Sequence, residues 1–187
     1  MPSPKAVAIA LLCVPAAASS GAHAEQVTIC YNYGCYARAP VDYSEAQLQF
    51  VQQQLDAAAD AAAERQAVSF AIGRMYAVAG EQTPVWRDKG GNYADGGENG
   101  RMDCVDHSTN TSKFLRLMQA RGWLKFHEVQ DPVMRRRYFF AEHWAASLRE
   151  RETQKVFMVD SWFFANGQPA AVLALEDWHA GKTPNVQ

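Results

Sequence analysis

The sequence has no long basic block, no C-x-x-C pair, no EF-hand loop and, past its first fifteen residues, no long apolar run. Each absence removes a class of function. With 18 Lys and Arg against 20 Asp and Glu, the chain lacks the positive excess that a nucleic-acid backbone demands, so nucleic acid is not an expected partner. Arg135-Arg136-Arg137 is the one dense cationic run, and it reads as a solvated strand entry rather than a phosphate site. Without C-x-x-C, the usual thiol-redox motif is missing. Asp88, Asn92, Asp95, Glu98 and Asn99 fall in a polar, glycine-rich stretch and offer oxygens to calcium, but their spacing departs from an EF-hand. A flexible loop or site rim is the better reading there. No other metal or cofactor is expected.

The apolar run that does occur lies at the N-terminus. Lys5 precedes an almost wholly apolar stretch from Ala6 to Pro15, and small residues then lead to Ala22-His23-Ala24. That is the build of a cleavable signal peptide over residues 1–24. At about 10 residues the run is too short to cross a bilayer of roughly 30 Å as a helix. Leu12 before Cys13 argues against lipid attachment. Residues 25–187 are then expected as a single exported domain, periplasmic or secreted, with no membrane span after cleavage and enough chain for one core.

Three cysteines remain after residue 24, and in an oxidising compartment two of them tend to pair. Cys30 and Cys35 flank Tyr31-Asn32-Tyr33-Gly34. A type I turn on Asn32-Tyr33, with Gly34 as a left-handed bulge, would set the two cysteines opposite each other within disulfide range. Cys104 is left over. It sits in Arg101-Met102-Asp103-Cys104-Val105-Asp106-His107-Ser108, a polar setting unlike that of a buried structural thiol.

The local patterns place helices first and strands after. Ser44-Glu45-Ala46-Gln47 fits a capping box, and the Ala-rich stretch from Glu45 to Ala79 predicts two helices or one broken helix ending at Gly80. A second helical region runs from about Cys104 to Arg121 and stops at Gly122. At its first turn Cys104 feels the positive end of the helix dipole, which favours a thiolate. Residues 123–129, 137–148, 156–163 and 170–175 are rich in aromatic and β-branched residues and predict antiparallel strands. The class is α+β: an N-terminal hairpin and helices, then a nucleophile-bearing helix packed on an antiparallel sheet.

His143 and Asp160 fall on successive strands with a short connection, so they are expected side by side. His143 shares its face with Ala141, Ala145 and Ser147, and the Cys104 helix is the expected cover for those small residues. His107 competes for the role of base, being three residues from Cys104, though it lies about 300° around the helix. His23, His127 and His179 read as surface histidines. Cysteine, histidine and acid together suit nucleophilic catalysis, in which the imidazole handles the thiol proton and the acid orients the ring.

Asp103-Cys104-Val105-Asp106 ahead of a helix, His143-Trp144-Ala145 on a strand and Val159-Asp160-Ser161-Trp162 on the next resemble bacterial transglutaminase-like cysteine proteinases. The likeness spans roughly residues 100 to 165. It implies a papain-like, transglutaminase-like core with Cys104 as nucleophile, His143 as base and Asp160 as orienting acid. It also implies acyl transfer at an amide of a protein, peptide or cell-envelope substrate, by hydrolysis or onto an amine. Two departures stand out: Met102 where the family usually has Gly, and His107-Ser108 where it has an aromatic residue and Ala. The Cys104 N–H and the Asn99 side chain are the expected oxyanion donors. The competing reading is a non-catalytic exported module that binds peptide or glycan, with Tyr31, Tyr33, Tyr36, Trp86 and Tyr93 as its surface.

Overall fold

The computed structural model describes residues 23–91, 95–137 and 141–184. Most of the expected signal segment, residues 1–22, lies outside them, as do Asn92 and Tyr93. The chain is α+β, with two antiparallel sheets. Strands β1 (His23–Tyr31) and β2 (Ala37–Ser44) form a hairpin, followed by α1 (Glu45–Asp56) and α2 (Ala61–Gln82). After a 3-10 turn at Pro84–Arg87 comes α3 (Cys104–Ala120). Then β3 (His127–Arg137), β4 (Ala141–Glu150), β5 (Val156–Asp160) and β6 (Ala171–Ala174) make a four-stranded sheet in that order, and α4 (Leu175–His179) closes the described chain.

Local chemistry accounts for most boundaries. Ser44 caps α1 through the expected box with Gln47, and Asp60 caps α2 by accepting from Ala63 N. The expected stop at Gly80 is not used: α2 runs on to Gln82, and Thr83 caps it. Gly80 is there for close packing, since a Cβ would come within 2.5 Å of the Asn166 amide and 3.2 Å of Trp86 Cβ. Strand β3 begins at His127 rather than at residue 123, because Trp123 and Leu124 are buried in the turn that follows α3. No helix among the described residues is long and apolar enough to cross a membrane.

The two faces of the larger sheet bury different things. Ala146, Leu148 and Val159 join the main core with Phe114, Leu115 and Met118 of α3 and with side chains of α1 and α2. Ala145 and Met158, on the other face, pack under the fully buried Trp178 of α4. Ala145, one of the small residues expected on the His143 face, therefore makes room for Trp178, and not for the Cys104 helix as expected.

One buried polar knot joins α2 to the sheet. The Glu64 carboxylate, wholly buried, accepts from the backbone N–H of Lys125, Phe126 and His127 and from His127 Nδ1 at 2.9 Å. His127 is thus fully buried and not a surface residue. Its Nε2 lies 3.2 Å from Arg65, which pairs with Glu150 at 2.7 Å. Burial alone would raise the Glu64 pKa, but the His127 bond and the backbone donors outweigh it and hold the carboxyl below its usual range.

Candidate active site

Cys104 is the first residue of α3, and its position is fixed by the residues on either side. Asp103 is the N-cap and accepts from Asp106 N at 2.9 Å, while Asp106 accepts from Asp103 N at 3.2 Å. This reciprocal box satisfies donors that a helix start otherwise leaves free. The half-buried thiol is free. It sits where β4 runs on past the paired end of β5, with Sγ 3.9 Å from the Glu142 carbonyl oxygen.

His143 follows Glu142, and its Nε2 lies 2.7 Å from Asp160 Oδ2. The pairing of Ser147 with Met158 puts Asp160 on the same face as His143. With Nε2 taken, Nδ1 is the nitrogen left for the thiol, and Cys104, whose Sγ lies 3.9 Å from the carbonyl oxygen of the preceding residue Glu142, is close enough to the imidazole to raise its pKa. Burial by itself would lower the imidazole pKa. Asp160 and then Cys104 more than offset it and push the pKa up to about 9.

Asp160 is wholly enclosed and receives two further donors. Trp178 Nε1 donates to Oδ2 at 2.9 Å, and Trp162 N donates to Oδ1 at 3.2 Å. The Trp162 ring meets the imidazole edge-on at 4.9 Å, and the Trp178 ring lies 5.7 Å from it. Over Trp178 stands the Arg135 guanidinium, 4.5 Å from the ring, donating to the Trp178 carbonyl. Arg135 is accordingly buried, a departure from the solvated run expected for it, whereas Arg136 is exposed and pairs with Glu142. Trp178→Phe keeps an aromatic ring but deletes the indole donor to a buried carboxylate and leaves part of a fully buried volume unfilled. Denaturant melts are expected to show a loss of about 1–3 kcal/mol; an unchanged melt would mean that Trp162 N and His143 suffice to hold Asp160.

His107 takes no part with Cys104. Its Nε2 lies 2.9 Å from Asp88 Oδ2 and its Nδ1 2.9 Å from Ser161 Oγ. Thr111 and Tyr76 extend this buried network, and Asp88 also accepts from Met102 N at 2.8 Å. The result ties the loop before α3, the second turn of α3 and the residue after Asp160 into one unit. The start of α3 at Cys104 and the end of β5 at Asp160 are thereby tied together, through groups that sequence spacing does not connect.

A scan of protein-family models, a search of curated proteins and a search of solved structures each find no match to this chain.

The remaining expected residues fall elsewhere. Asn99 is exposed, and its Oδ1 accepts from Asn32 Nδ2 at 3.1 Å, so the side chain is engaged by the hairpin. The oxygens offered to calcium have protein partners: Asp88 as above, Asp95 with Tyr33 and Arg101, Glu98 with Arg101. Tyr36 and Trp86 are exposed, and Tyr33 is tied to Asp95 at 2.6 Å.

The Cys30–Cys35 disulfide is present, with Cα atoms 4.6 Å apart. Its setting differs from the expected turn. Cys30 pairs across the hairpin with Arg38, and Cys35 lies in the loop. Asn32, Tyr33, Gly34 and Cys35 are all left-handed, with φ of 66°, 59°, 62° and 60°. Two N–H groups of this loop reach separate carboxylates: Gly34 N donates to Asp103 Oδ2 at 3.0 Å and Cys35 N to Asp106 Oδ1 at 2.6 Å. The unexpected turn is thus held by the disulfide across it and by the two carboxylates on either side of Cys104.

Proposed function

We propose that the protein is an exported cysteine-dependent acyl-transfer enzyme, a peptidase, amidase or transglutaminase-like acyltransferase, on a transglutaminase-like core. The observation that carries this reading is one imidazole between a free thiol and a buried carboxylate: Nε2 lies 2.7 Å from Asp160, and Cys104, with Sγ 3.9 Å from the carbonyl oxygen of Glu142 next to His143, is close enough to raise the ring's pKa. Cys104 attacks an acyl carbon as thiolate, and His143 keeps the proton and then delivers it to the leaving amine. Asp160 holds the ring and balances the imidazolium. The N–H of Cys104, at the helix start where no intrahelical acceptor exists, is the oxyanion donor this geometry favours. Water or an amine then takes the acyl group from sulfur. The disulfide suits an oxidising compartment outside the cytoplasm, periplasmic or extracellular.

An activated ester tests the chemistry without knowledge of the natural substrate. Mixing the oxidised protein with p-nitrophenyl acetate is expected to release a burst of nitrophenolate stoichiometric with protein and to leave an acetyl group on Cys104. The burst should vanish in Cys104→Ala. An equal slow release from both proteins would remove the enzyme reading.

One observation favours the binding-module reading instead. A hollow of about 260 Å³ between α1 and α2 is lined by the exposed Phe50 and Phe70 together with Arg74 and Pro169, a surface of the kind that takes peptide or glycan. An inert Cys104 would leave that hollow as the functional feature.

A further inference from the structure

The hairpin tip is anchored along the first two turns of α3. The Asn110 amide accepts from Cys30 N at 2.8 Å and donates to Cys30 O at 2.7 Å, both buried. One turn earlier on the same helix face, Asp106 accepts from Cys35 N at 2.6 Å. The disulfide thus joins two points that are each fixed to the helix bearing Cys104. Around it, Asn32 N donates to Arg101 O at 2.7 Å, Gly100 N donates to Asn32 Oδ1 at 2.7 Å, and Tyr33 OH reaches Asp95. Three non-glycine residues of the loop sit in left-handed backbone, a strained conformation for them, and what the loop gains is contact with the segment around the nucleophile.

We propose that the Cys30–Cys35 disulfide is a positioning element and redox control for Cys104, a role that rests on the function proposed above. Oxidised, it keeps loop 32–35 in the form whose N–H groups hold Asp103 and Asp106. Reduced, the covalent tie is gone while the left-handed cost remains, so the loop relaxes and both carboxylates lose a donor. The acyl-transfer activity is then confined to oxidising surroundings. The reductant is a dithiol. Its thiolate attacks the sulfur of Cys35, the half-exposed partner of the fully buried Cys30, giving a mixed disulfide and a Cys30 thiolate that takes up a proton. The second reductant thiol then displaces Cys35 as a thiol. Two electrons pass to the protein, and the reductant leaves as a cyclic disulfide.

The test is the rate at which iodoacetamide alkylates Cys104 at neutral pH, read by peptide mass mapping. Full-length mature protein is compared as oxidised, as reduced with dithiothreitol then freed of it, and as reoxidised, with far-UV circular dichroism beside each. The expected result is alkylation about tenfold slower after reduction, with unchanged circular dichroism and recovery on reoxidation. The Cys30→Ser/Cys35→Ser protein should match the reduced form. Equal rates in the oxidised and reduced forms would overturn the control while leaving Cys104 as nucleophile. Global unfolding on reduction would overturn it too, since the bridge would then staple the fold and not the site. A Cys104 inert even when oxidised would remove the function beneath it.

Discussion

His143→Ala is expected to lower the rate of Cys104 acylation by about 10²–10⁴-fold, the usual worth of a positioned acid–base group. The imidazole is bonded to the buried carboxylate and close enough to the thiol for Cys104 to raise its pKa. His107, the other histidine near Cys104, is committed to Asp88 and Ser161. The pH profile carries the same expectation. The imidazole pKa is pushed up from 6.5 to about 9, so the protonated ring persists through neutrality, and acylation should decline as pH rises through about 9. For stability the sign is that of a raised base: the contribution is complete below 6.5 and is lost as pH rises through about 9. A profile without an alkaline limb near 9, or with the same limb in His143→Ala, would contradict this assignment.

The largest effect on stability is expected at Glu64. Glu64→Ala removes the wholly buried carboxylate that accepts from three backbone N–H groups and from the buried His127, and should cost about 3–5 kcal/mol in denaturant unfolding. Glu64→Gln keeps the shape and loses the charge, so it should be milder. Because the Glu64 pKa is lowered in the folded protein from 4.5, its charge-dependent contribution is present above that value and disappears as pH falls through the folded pKa. The gap between wild type and Glu64→Gln should therefore close in acid. A gap that stays constant with pH would mean that shape, and not charge, holds the knot.

These two sites also show what the sequence makes legible. Local rules were enough for the Ser44 box, for α3 beginning at Cys104 and for the left-handed Gly122 just past its end. Each depends on residues within one turn. The α+β order and the adjacency of His143 and Asp160 followed from strand alternation and a short connection. The Glu64–His127 knot was not legible, because its members are 63 residues apart and nothing near His127 marks it as buried. Trp178 was hidden for the same reason: its role depends on α4 folding back over the face that carries Ala145 and Met158. The hairpin turn differs from its sequence reading because its own residues suit an ordinary bulge, while the carboxylates of Asp103 and Asp106, about 70 residues on, help the disulfide hold another conformation. Ser161 stood in the quoted motif, yet its bond to His107 needs the fold to be seen.

The central claim is that His143 activates Cys104. It is tested most directly by the alkylation rate of Cys104 in oxidised wild-type protein and in His143→Ala, measured from neutral to alkaline pH. Wild type should react at one thiol only, Cys104, and at neutral pH about tenfold or more faster than the variant. A thiol that stays inert in the native protein, or reacts alike with and without His143, would contradict the account.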